Sequence, residues 1–144
     1  AAGVKAMNLK EDDILQSAFI CNTSSFYLLT QRGSLKRVSI EGIPATSRAK
    51  RGLQVLRELK NKPHRVFLAG AVVEQGFIGD LFSTEVEEND QTLLVQSNKG
   101  TIYESRLQDL NLSERTSNGS FISDTISDEE VFDAYLKEIF KEDK

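Results

Sequence analysis

A strand, a glycine turn and a second strand occur twice in this chain, and the duplication constrains the fold more than any other feature. In the first copy Leu28-Leu29-Thr30, Gln31-Arg32-Gly33 and Ser34-Leu35-Lys36-Arg37 follow one another; in the second, residues 92–97, Asn98-Lys99-Gly100 and residues 101–105 do. Apolar and β-branched residues dominate the flanks, and each glycine can supply the left-handed backbone that a short hairpin turn demands. Gly100 lies 67 residues after Gly33, and Gly119 lies 67 after Gly52, within stretches that echo each other. Two landmarks at one offset establish an internal repeat. Gly3 and Gly52, 49 residues apart, open similar alternating stretches, so the unit reads as about 50 residues with an insertion in the second copy, a spacing typical of propeller-like blades.

The remaining segments complete an all-β expectation: propeller-like blades, about two to three of them. Residues 3–9 alternate like a strand, residues 17–22 are expected to pair with residues 26–30 as a hairpin, and residues 52–56 read as a strand. The apolar run in residues 65–73 suits a strand buried on both faces, with Gly70 permitting close approach. Residues 77–83 are a further expected strand, and residues 85–90 an acidic connector. At the end, Ser127-Asp128-Glu129-Glu130 has capping-box form, and Val131, Phe132, Tyr135, Leu136, Ile139 and Phe140 recur at helical spacing. This pattern predicts an amphipathic helix from Asp128 to about Lys141. The chain accordingly divides into blades over residues 1–127 and a C-terminal helix with acidic tail over residues 128–144.

Charge is partitioned sharply. Residues 32–65 hold ten Lys and Arg against two acids, a net of +8, whereas the rest holds eight against twenty, a net of −12. With a pI near 5.1, any polyanion site has to be local, and this stretch is its place. The candidate contacts are Arg32, Lys36 and Arg37 beside the Gly33 turn, Arg48, Lys50 and Arg51 on the loop before Gly52, and Arg57. Phosphates require cations on a firm scaffold and little else. With about six contacts, log K against log salt falls with a slope near −5 for duplex DNA. No groove-reading helix or aromatic stacking platform accompanies them, which favours backbone contact over base readout. A protein-interaction module whose basic loop docks an acidic partner is the competing interpretation.

Catalytic and metal signatures are missing from the sequence. His64 is the single histidine, expected as an exposed turn residue between Pro63 and Arg65. Glu85, Glu87, Glu88 and Asp90 lack the glycine-fixed geometry of a calcium loop and read as a hydrated acidic connector. No phosphate-cradling glycine loop occurs, and no nucleophile stands beside a base. Cys21 is the sole cysteine, so no intrachain disulfide forms, which fits a reducing cytoplasm. No apolar run reaches the roughly 18 residues of a membrane span.

Gly3-Val4-Lys5-Ala6, the hairpin residues 29–37 and the Arg48 to Gly52 loop together resemble the C-terminal domain of type IIA topoisomerase A subunits, over residues 3–125. The resemblance implies a β-pinwheel, a propeller variant with strands exchanged between neighbouring blades, whose basic rim binds and bends DNA; with about five or six blades in the family's full domain, the two to three here make an incomplete ring. Gyrase carries the box Gln-Arg-Arg-Gly-Gly-Lys-Gly in one blade. Aligned on Gly52, this chain reads Thr46-Ser47-Arg48-Ala49-Lys50-Arg51-Gly52, without the inner glycines, and in that respect is more similar to topoisomerase IV. The second loop, with Arg115 beside Glu114, looks like a degenerate copy. By resemblance the segment is a non-catalytic, DNA-gripping part and holds no cofactor. The parent's ATP, Mg and catalytic residues lie elsewhere. Its partners are duplex DNA, a B subunit, plus the rest of its own chain, and it works on the cytoplasmic nucleoid.

Overall fold

The computed structural model describes residues 3–73 and 90–139. Within them eight strands form: β1 (Ser25–Thr30), β2 (Ser34–Ser39), β3 (Val66–Val72), β4 (Asp90–Ser97), β5 (Ile102–Arg106), β6 (Leu112–Ser113), β7 (Ser120–Phe121) and β8 (Val131–Ile139). The first sheet has the order β3-β1-β2-β6, with β7 also pairing on β2; the second has the order β5-β4-β8. The all-β expectation is met. No helix among the described residues is long and apolar enough to cross a membrane.

The duplication is carried in the register. Phe26 faces Val38 across the first hairpin, and Leu93 faces Ser105 across the second, so every hairpin pair reappears 67 residues later. Gly33 and Gly100, both at positive φ (83° and 85°), close the two turns. Each hairpin then receives a third antiparallel strand, β3 on β1 and β8 on β4. Phe26 meets Ala71 in the first sheet, while Leu93 meets Leu136 in the second, two residues short of the repeat image of Ala71. An even slip leaves the same side chains on the same face, so both sheets tolerate it.

That parity builds the core. Tyr27, Leu29, Leu35 and Val72 of the first sheet pack with Leu93, Val95, Leu107, Ile126 and Val131. Leu93 and Val95 are the images of Phe26 and Leu28, which are buried on the opposite face of the first sheet. The second sheet therefore presents to the first the face that the first turns away from it, as stacked blades of a propeller do. Ile126, fully buried in a 3-10 turn at Asp124–Asp128, fills the space beneath Gly33, where a Cβ would lie 2.4 Å from its Cδ1.

Four local expectations are corrected. Residues 131–139 form a strand, not the amphipathic helix expected from Asp128 to about Lys141. β4 offers a full row of backbone donors and acceptors beside a shared core, and pairing eight residues along it outweighs a helical stripe. The alternation that puts Ala134 and Leu136 against the core is disguised by an irregularity at Gln96/Ser97, which shifts Val131 and Phe132 out of period. Residues 17–22 do not pair with β1; that partner is β3, and Gln16 and Ser17 instead donate side-chain bonds to the carbonyls of Phe67 and Ala69. Residues 3–9 and 52–56 are not strands either, apart from one bridge between Met7 and Lys50. Ser120 and Phe121 have β2 to pair with, whereas their counterparts Leu53 and Gln54 have no strand beside them among the described residues. The expected strand at residues 77–83 and the acidic connector before Asp90 lie outside the described residues.

Candidate nucleic-acid interface

Arg48, Lys50 and Arg51 are exposed, and so is Arg57. Their loop has a defined backbone: Ala49 and Gly52 adopt positive φ (63° and 85°), and the loop is stitched to the N-terminal stretch by Ala49 N to Ala6 O (3.1 Å) and Asn8 N to Lys50 O (2.9 Å). Ala49 holds its left-handed conformation despite carrying a Cβ, an uncommon state for a non-glycine residue. Among the described residues no carboxylate pairs with these four cations; the ion pairs found there join Arg106 to Asp90 and Asp109.

The three cations around the first turn are placed differently. Lys36 is buried on β2, and its ammonium donates to the carbonyls of Val55, Arg115 (2.7 Å) and Ser117 (2.6 Å). Burial, with the nearby Arg115 guanidinium, lowers its pKa to about 8, so it remains charged at neutral pH inside a ring of oxygens. Arg37 donates from Nε to Ser25 Oγ at 2.7 Å and is half-buried. Arg32 donates from Nη1 to the Lys62 carbonyl (2.8 Å), and its guanidinium carbon lies 5.5 Å from the Phe121 ring centroid. The structure thus brings Arg48, Lys50 and Arg51 together on one exposed loop and commits Lys36, Arg37 and Arg32 largely to internal bonds.

His64 is buried rather than exposed in a turn. Its Nδ1 lies 3.0 Å from Thr30 Oγ1 and its Nε2 lies 3.3 Å from Arg32 Nη1. Because the guanidinium can only donate, Nε2 accepts and Nδ1–H donates, which fixes a neutral tautomer. Desolvation, then Arg32, pushes its pKa below the ordinary value. A histidine with a lowered folded-state pKa stabilises the fold above the unfolded value near 6.5 and loses that contribution as pH falls below it. The unfolding midpoint of the wild-type chain should therefore drop more between pH 7 and 5.5 than that of His64→Gln, as followed by circular dichroism; parallel curves would refute it.

The exposed loop has a counterpart 67 residues on. Residues 113–120 run from β6 to β7 along β2, with Gly119 at φ +70°. Arg115 does not point away; its Nη1 donates to the Gln54 carbonyl at 2.6 Å, which joins the second loop to the end of the first. The repeat offset puts Arg115 in this loop, but nothing in the sequence marks its acceptor. Phe121 and His64, 5.9 Å apart between ring centroids, escaped sequence reasoning for the same reason.

Residues 1–22 and 25–72 match the family model described as DNA gyrase C-terminal domain, beta-propeller. The whole chain is 91% identical over 144 residues to the A subunit of DNA topoisomerase 4 from Streptococcus pneumoniae, covering 18% of that protein. The chain belongs to the C-terminal propeller-domain family of type IIA topoisomerase A subunits. Within that family it is also similar to the A subunit of DNA topoisomerase 4 from Streptococcus pyogenes serotype M6, at 62% identity over 135 residues, 91% of this chain and 16% of the relative. A crystal structure of the C-terminal domain of DNA topoisomerase IV superposes with a TM-score of 0.70 at 34% identity, over 94% of this chain and 38% of that one. The chain thus spans less than a fifth of the length of these two streptococcal relatives.

Proposed function

We propose that this chain is a non-catalytic DNA-binding part of a bacterial type IIA topoisomerase, of the kind found in the A subunit of topoisomerase IV. It grips the duplex backbone through Arg48, Lys50 and Arg51, with Arg57 beside them, and so presents DNA for strand passage and decatenation. The observation that carries this reading is the loop itself: adjacent exposed cations on a hydrogen-bonded backbone, with no carboxylate partner among the described residues, in a chain that is acidic elsewhere. Such a surface attracts phosphate without reading bases. In the parent, the partners are the B subunit plus the rest of the parent chain; ATP and Mg serve catalytic parts outside this segment, and the setting is the cytoplasmic nucleoid.

With Lys36, Arg37 and Arg32 engaged internally, four cations remain for phosphate. The slope of log K against log salt for random-sequence duplex is then about −3.6 instead of the −5 that six contacts give. Fluorescence anisotropy from 50 to 200 mM salt measures it. A slope near zero, or binding confined to one sequence, would favour an acidic protein partner or base readout in place of this function.

A further inference from the structure

Two cations clasp the loops of successive copies. Lys36 Nζ has three N–H groups, and the carbonyls of Val55, Arg115 and Ser117 take all three. Arg115 Nη1 donates to the carbonyl of Gln54, the residue next to Val55. Gln54 and Val55 each receive one of these bonds, and they lie just beyond Gly52, where the basic loop ends. Lys36 is 2% exposed, so its ammonium cannot serve phosphate and the carbonyls together. Gly119 keeps the ring tight, since even a Cβ there would come within 2.9 Å of Lys36 Cβ.

We propose that Lys36, assisted by Arg115, is a positioning residue for the basic loop: it fixes residues 54–55 so that Arg48, Lys50 and Arg51 are presented from a held backbone. A cation on a loose tether loses conformational freedom when it binds, whereas one on a held loop has already lost it. The clasp needs the charge and all three donors of an ammonium. A side chain of similar length without donors leaves these part-buried carbonyl oxygens without their partner.

This inference rests on the DNA-gripping reading, and one titration separates the two. Lys36→Met is made in the full chain and measured with duplex DNA across a salt series, beside the wild type and the triple variant R48E/K50E/R51E. The folded variant should bind about fivefold to tenfold more weakly at each salt, the cost of ordering a released loop, with an unchanged slope. A slope smaller by about 0.9 would make Lys36 a phosphate contact and overturn the proposal, and so would wild-type affinity in a folded variant. Should Lys36→Met fail to fold, Arg115→Gln, which removes only the bond to Gln54, is read by the same two criteria. Absence of duplex binding by the wild-type chain would instead defeat the underlying function.

Discussion

Reversal of Arg48, Lys50 and Arg51 to glutamate should weaken duplex binding by at least about 500-fold at 0.1 M salt. The figure follows from counterion release: each lost phosphate contact removes about 0.9 log unit per decade of salt below 1 M, and three are lost together. The slope should fall in the same variant from about −3.6 to about −0.9, leaving Arg57. Stability should hardly change, because the three side chains are exposed and make no side-chain bonds to described residues, and substitutions of that kind lie within about 0.5 kcal/mol. The loop's own anchors are backbone groups of Ala49 and Lys50, which the substitutions leave in place. A variant that melts normally and binds DNA as the wild type does would remove the loop from the interface.

The second large effect concerns stability. Gly119→Ala should cost about 3 kcal/mol, against about 1 kcal/mol for Gly52→Ala, although both glycines have positive φ. Left-handed strain is common to the two positions. Around Gly52 a Cβ meets nothing within 4 Å, whereas at Gly119 it would lie 2.7 Å from the Leu35 carbonyl oxygen. Backbone cannot swing aside as a side-chain end can, so β7 has to lift from β2 or the loop has to change path. Urea denaturation of the two variants gives the comparison directly, and equal losses would show that conformation alone matters at Gly119.

The hairpins were legible in the sequence because their determinants are local: a glycine able to take positive φ, flanked by runs that alternate or are wholly apolar. The third strand of the second sheet was not legible by local periodicity, since Val131, Phe132, Tyr135 and Leu136 fit a helix equally well and the bulge opposite Gln96 and Ser97 hides the two-residue period. The information was present at longer range, because residues 66–72 plus the 67-residue offset fall on residues 133–139, within the strand observed at Val131–Ile139. At the interface, counting charges located the basic stretch but could not separate cations with internal partners from those without. Lys36 and Lys50 differ through the carbonyls of Val55, Arg115 and Ser117, and no side-chain pattern announces a backbone acceptor 79 residues away. His64 was misplaced for a related reason: a Pro-His-Arg turn looks solvated until Thr30 and Arg32 close over it.

β6 and β7 lie on β2 although the whole second hairpin intervenes, and Ser34 Oγ reaches the Asn118 carbonyl across 84 residues of chain. An emerging polypeptide therefore cannot finish its first sheet until residue 121 has left the ribosome. Until then the outer edge of β2 stays open to other chains, and the two halves should melt as one unit, not in succession.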